Sequence, residues 1–172
     1  MIPTMPDSRS TMGQHALLAE DPVLDQGIYV LCIRLREPVN LRAGALPERR
    51  YSSGIYWYVG SAQRHLRSRL RRHLRTDKPL RWHVDHFLIL PETRIEAVFV
   101  KPADKSQECA TARNLSRHGD AVPRFGASDC PCLSHLIHTR EDTARTAEEA
   151  LQERGFTRIP CAVPETDRDN RP

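Results

Sequence analysis

Residues 54–60, Gly-Ile-Tyr-Trp-Tyr-Val-Gly, narrow most sharply what this chain can become. Five consecutive β-branched or aromatic residues between two glycines read as one strand, with no room for a reversal inside it. Side chains alternate faces along a strand, so Tyr56 and Tyr58 share one face while Trp57 points to the other. A tyrosine that is to meet Tyr58 from a neighbouring strand must come from elsewhere. A second Gly-Ile-Tyr, at residues 27–29, heads the strand-like run GIYVLCIRL (27–35). Tyr29 is therefore assigned to the functional site, and the copy at 54–56 is taken as a strand lead-in.

Gly60-Ser61 closes the strand, and a helix is predicted over 63–76. Leu66, Leu70 and Leu74 fall at i, i+4 and i+8, an apolar stripe for the core. His65, Arg69 and His73 flank it on one side; Arg67, Arg71 and Arg75 flank it on the other. Six arginines and no acid lie between Arg64 and Arg75. Like charges four residues apart destabilise an isolated helix by about 0.2–0.5 kcal/mol per pair. Phosphates would relieve that repulsion and release counterions. Arg64, Arg67, Arg71, Arg72 and Arg75 are accordingly expected to bind a nucleic-acid backbone; a solvated charged face is the ordinary alternative. The net charge of +4 is modest, so the clustering of charge rather than its sum points to phosphate.

Further along, the pattern predicts a short strand at 39–42, a helical turn at 81–89 and a strand at 94–102. A helix over 107–118 follows, with Ser106 as its N-cap and Gly119 as its stop. FGASDCPC is turn-rich, and LSHLIHT suggests a short returning strand. The class expected is α+β, a small central antiparallel sheet flanked by helices. At 172 residues the chain is about one domain. Residues 24–140 are read as that domain, between a disordered segment at 1–23 and a charged, mostly disordered tail at 141–172 in which TAEEALQERG has room for a short helix. No basic start precedes an apolar stretch and no apolar run nears ~18 residues, so neither a secretory leader nor a membrane span is expected. Five cysteines, an odd number, fit a reduced, cytoplasmic protein.

Taken in order, Gly27-Ile28-Tyr29, Tyr58-Val59-Gly60-Ser61-Ala62, and Arg69 four residues before His73 resemble the GIY-YIG nucleases. W-H-V-D at 82–85, Glu108-Cys109, and FGASDCPCLSHL at 125–136 resemble one uncharacterised branch in particular. That branch is catalogued as a domain of unknown function and is sometimes attached to endonuclease III-like proteins. The resemblance spans about residues 25–140. It implies a GIY-YIG-like sheet flanked by helices and a divalent metal, Mg²⁺ or Mn²⁺, at the site. Tyr29 and Tyr58 match the paired tyrosines, Arg69 the catalytic arginine and Glu108 the metal-binding glutamate. His73 matches a histidine of some members, and His83 is a candidate for another. The spacer 30–57 is longer than the family's usual hairpin, and Asn114 sits too early for the asparagine that many members carry.

The chemistry of phosphodiester hydrolysis suits these residue types. A cation on Glu108 would polarise phosphate and water. Arg69 offers a forked donor for phosphate oxygens. A tyrosine could accept a proton only with its pKa lowered from about 10. Taken singly, strand tyrosines are ordinary core aromatics and Glu108 is an ordinary first-turn acid; the joint pattern favours a site. Cys130, Cys132 and His135, with His138 and Cys109 available, are donors of zinc type. Their spacing matches no common paired-hook site, and small buried hydrophobes that order the loop after Gly126 are the preferred reading. The function expected is a metal-dependent DNA endonuclease, repair-associated, with RNA kept open as substrate and a DNA-repair protein as a candidate partner. A monomer is the starting expectation. The rivals are a non-catalytic nucleic-acid-binding module and a zinc-stabilised interaction protein.

Overall fold

Both faces of Gly27–Leu35 (β1) are apolar, so both must be covered, and the architecture follows from that requirement. In the computed structural model, which describes residues 25–161, β1 pairs antiparallel with Gly54–Ala62 (β4) along its whole length. Thr93–Lys101 (β5) runs along the other side of β1, with a register shift after Cys32. Leu136–Thr139 (β7) flanks β4, Asp120–Ala121 (β6) flanks β7, and Thr157–Pro160 (β8) flanks β5. The order is β6-β7-β4-β1-β5-β8, and every neighbouring pair is antiparallel. The protein is α+β, with helices on both faces of this sheet.

On one face, Tyr29, Leu31 and Ile33 of β1 join Tyr56 and Tyr58 of β4. They pack beneath Leu66 and Leu70 of helix Leu66–Leu74 (α1) and Val84 and Phe87 of helix His83–Leu88 (α2). On the other face, Ile28, Val30, Trp57 and Val59 lie beneath Ala112 and Leu115 of helix Ser106–Leu115 (α3). Ala147 and Leu151 of helix Glu141–Glu153 (α4) complete that layer. Tyr56 and Tyr58 thus share a face opposite Trp57, as the alternation requires.

The long spacer between β1 and β4 is a separate ribbon, Val39–Leu41 (β2) paired with Arg49–Tyr51 (β3). Its last residue, Tyr51, is buried 5.3 Å from Phe87. The ribbon lets a connection longer than a hairpin return to the core without disturbing the pairing of β1 with β4.

Several expectations change. Helix α1 is shorter than 63–76, and Leu74 is 45 % exposed while His73 is buried. At 100° per residue, i+7 returns to within about 20° of the starting direction but i+8 overshoots by about 80°, so the inward third position is His73. Helix α3 ends at Leu115 instead of 118, and its start is held by the Asp104 carboxylate, which accepts the Ser106 N–H at 2.8 Å. The folded unit also continues past 140, through α4 and β8, where a disordered tail was expected. Only Ala147 and Leu151 of α4 are fully buried, so the core stripe is thin and the composition looks like a charged tail. Tertiary pairing of Glu141 with Arg34 and of Glu148 with Arg158 (2.9 Å) helps hold the segment down. The expected tails at 1–23 and beyond 161 lie outside the described residues. Among the described residues, no helix is long and apolar enough to cross a membrane.

Candidate functional site

The register of β1 against β4 builds the centre of the site. Tyr29 stands opposite Gly60 and Leu31 opposite Tyr58, which makes the two tyrosines diagonal neighbours on one face. Their ring centroids are 6.5 Å apart. A Cβ at Gly60 would lie 2.4 Å from Cζ and Oη of Tyr29, so the ring occupies the space that any side chain there would take. Gly126 has φ +68°, and a Cβ there would come 3.2 Å from both Tyr58 and His135. It brings the loop backbone down onto Tyr58. Tyr56, from the lead-in copy, instead donates to the Ser52 carbonyl at 2.7 Å and packs against Phe87.

Helix α1 begins immediately after β4 through His65, whose left-handed backbone (φ 56°) turns the chain while its N–H reaches the Asp25 carboxylate. One turn later Arg69 donates from Nη1 to the Ser61 carbonyl at 2.8 Å. The guanidinium also lies over the Trp82 ring, 5.0 Å from its centroid. Arginine carries five N–H donors, so others remain for a ligand. His73 sits behind Tyr29 with Nε2 2.9 Å from the phenol oxygen. Burial above all, then the nearby Lys78 charge, pushes its pKa down to about 3. His73 is thus neutral at ordinary pH.

Glu108, on the first turn of α3, accepts a hydrogen bond from the Ser61 hydroxyl. Its other oxygen lies 2.9 Å from His135 Nδ1, although the in-plane N–H direction of that nitrogen does not point at it. Burial alone would raise the Glu108 pKa; His135 and Ser61 outweigh it and hold it below the usual carboxylate value. Tyr29, Tyr58, Arg69 and Glu108 line one cleft of about 740 Å³, with Arg64, Arg81 and Lys105 among its other walls. Two neutral phenols, one carboxylate and several cations facing the same space can receive a phosphate and a divalent cation together.

The structure differs from expectation in several respects. No tyrosine pKa is lowered: burial raises both Tyr29 and Tyr58, and Arg69 offsets this only in part. The phenols are donors or positioning groups, and a tyrosinate base is not what this environment favours. Arg72 is not a free phosphate ligand, because it is bound to the buried Asp85 carboxylate through Nη1 and Nη2, both at 2.9 Å. Arg64 lines the cleft, whereas Arg67, Arg71 and Arg75 are outside its lining and form no ion pair among the described residues. Cys130, Cys132 and His135 do come together, but with Cys109, and the three thiols are half-buried rather than packed in a core. His138 is elsewhere, stacked on Tyr56 at 4.6 Å. His83 accepts the Gly126 N–H at 3.1 Å and so ties α2 to the loop.

Sequence reasoning missed Ser61 as the holder of Glu108 and Trp82 as the platform for Arg69. It also missed Asp85 as the anchor of Arg72, because the acid that relieves this charged helix lies outside it. The tryptophan and aspartate stand in the W-H-V-D motif at 82–85.

Residues 28–156 match the model of a family described as "Domain of unknown function DUF123", and the chain belongs to that family. This corrects the resemblance to the GIY-YIG nucleases: DUF123 is a distinct family, and the match does not connect it to them. Roles carried over from that resemblance therefore stand or fall on the geometry alone. No curated protein and no solved structure matches the chain significantly.

Proposed function

We propose that this DUF123 protein is a metal-dependent hydrolase of phosphodiester bonds in DNA, working in a reducing, cytoplasmic setting. The observation that carries the reading is the convergence of Arg69, Glu108, Tyr29 and Tyr58 on one cleft with cationic walls. A carboxylate has about four lone-pair sites, and Ser61 and His135 approach one oxygen each. Capacity remains for a hard cation that completes its shell with water and phosphate oxygens, the usual habit of Mg²⁺. That cation would supply Lewis-acid activation of water and neutralise charge on the phosphate.

The chain's own residues do the rest. Arg69, held between the Ser61 carbonyl and the Trp82 ring, presents its free N–H groups to the phosphate as charge develops. Tyr29 and Tyr58, kept as neutral phenols by burial, orient water or phosphate by hydrogen bonding. His73 fixes the Tyr29 hydroxyl from behind. The unpaired row of Arg67, Arg71 and Arg75 would follow the DNA backbone away from the cleft. The five free thiols support the reducing compartment.

The test is Mg²⁺- or Mn²⁺-dependent cleavage of a panel of plain, nicked, branched and damaged DNA by wild type, Glu108→Gln and Arg69→Lys. Cleavage by wild type alone, with DNA binding kept by Glu108→Gln, is expected. Equal cleavage by Glu108→Gln would remove the metal role. Binding without cleavage across the panel would leave a nucleic-acid-binding module in its place.

A further inference from the structure

We infer that Cys109, Cys130, Cys132 and His135 form a tetrahedral zinc site, and that the zinc positions the Glu108 carboxylate through the His135 ring.

Their four donor atoms lie within 4.8 Å of one another. Zinc takes thiolates at about 2.3 Å and imidazole at about 2.0–2.1 Å, so tetrahedral geometry needs S–N edges of about 3.5 Å and S–S edges of about 3.8 Å. The Cys130 and Cys109 sulfurs lie 3.4 and 4.0 Å from His135 Nε2, close to those edges. The competing account, small hydrophobes filling a core, does not describe these thiols. All three are half-buried, none joins either apolar cluster, and the polar imidazole stands among them. All five cysteines are free thiols, so no disulfide consumes the donors.

The loop needs such a staple. Residues 127–132 make no backbone–backbone hydrogen bond among the described residues, yet this loop forms one wall of the cleft through Ser128 and Asp129. Cys109 belongs to α3 and directly follows Glu108, so a single ion would join the helix that carries Glu108 to the loop opposite.

The imidazole couples the two sites. His135 turns Nε2 to the thiols and Nδ1 to Glu108 at 2.9 Å. Zinc on Nε2 leaves Nδ1 as the protonated nitrogen, 2.9 Å from the carboxylate, and reorientation of the ring on binding zinc would bring its N–H into line with Glu108. Metal-bound histidines commonly give their second N–H to a carboxylate, and losing that partner costs about 10–100-fold in metal affinity. Glu108 would then be oriented for the cleft by a metal that never touches the substrate. Zinc binding is independent of the proposed hydrolysis; the use made of the oriented carboxylate rests on it.

The full chain, purified without a histidine tag, should carry about one zinc by elemental analysis. Cobalt added after zinc removal should give the visible and charge-transfer bands of tetrahedral thiolate ligation. Cys130→Ser and Cys132→Ser should lose zinc, while Cys161→Ser should keep it. Glu108→Gln should keep the cobalt bands but bind zinc about 10–100-fold more weakly in competition with a chromophoric chelator. Folded wild type that contains no zinc and gives no thiolate–cobalt bands would overturn the site, whatever the variants do. Unchanged zinc affinity in Glu108→Gln would overturn the coupling. No readout depends on cleavage, so an inactive protein with zinc bound would count against the proposed hydrolysis alone.

Discussion

Replacing Asp85 by asparagine tests how α1 is held against the site. The carboxylate is fully buried and accepts from both Arg72 nitrogens at 2.9 Å and from the N–H groups of Arg81 and Trp82 at 2.8 and 3.0 Å. Lys78 Nζ lies 3.9 Å away with its side chain only 1 % exposed. An asparagine oxygen can still accept, but its amide removes the charge and presents N–H where acceptors are needed. Arg72 and Lys78 are then left as uncompensated cations, and breaking a buried pair in this way costs about 3–5 kcal/mol. At about 3 °C per kcal/mol for a domain of this size, the melting temperature should fall by roughly 10–15 °C. The pH dependence has a defined sign. Burial would raise the Asp85 pKa, but Arg72 and the two backbone donors outweigh it and lower it from 3.8. Its contribution is therefore present above that value and lost as pH falls through the folded pKa, so Asp85→Asn should flatten the acid limb of wild-type stability. Adding Arg72→Met should recover part of the loss, because one stranded charge goes with it. Urea unfolding of the four proteins at several pH values measures all of this. A loss under ~1 kcal/mol, or a double variant as unstable as the sum of the singles, would refute the clamp.

Gly60→Ala would place a methyl within 2.4 Å of the Tyr29 ring, so a loss of about 1–3 kcal/mol and a displaced Tyr29–His73 pair are expected, read by calorimetry and the His73 imidazole NMR signals. Replacing Arg67, Arg71 and Arg75 together should weaken DNA binding across all sequences and lower the salt slope by about 0.9 per lost phosphate contact; an unchanged slope in a fluorescence titration would remove this row from the binding surface. Because burial raises both tyrosine pKa values, the pH–rate profile of cleavage should show no tyrosine ionisation below about pH 10, and Tyr58→Phe should lower the rate without shifting the profile; a lost alkaline limb would instead identify a tyrosinate.

What the sequence determined by itself was whatever depends on local period. The alternation of residues 54–60 placed Tyr56 and Tyr58 on one face, and the apolar runs at 27–35 and 94–102 marked two more long strands, because side-chain direction in a strand repeats every two residues. It also pointed to Tyr29 as the partner of Tyr58, since no residue within β4 could reach. The apolar stripe of α4 is thin, resting on Ala147 and Leu151, and the short β3 and β8 carried no clear period, so their places come from packing and pairing with distant strands. Tertiary structure alone decided that His73 meets the Tyr29 hydroxyl, that Asp85 anchors Arg72, and that Ser61 holds Glu108. It likewise brought Cys109 to a loop beginning about twenty residues later in the chain. These contacts join residues distant in sequence, and only the register of the sheet and the seating of the helices on it bring them within bonding distance. The same burial that assembles the two tyrosines raises their pKa values, a property that neither tyrosine has in the unfolded chain.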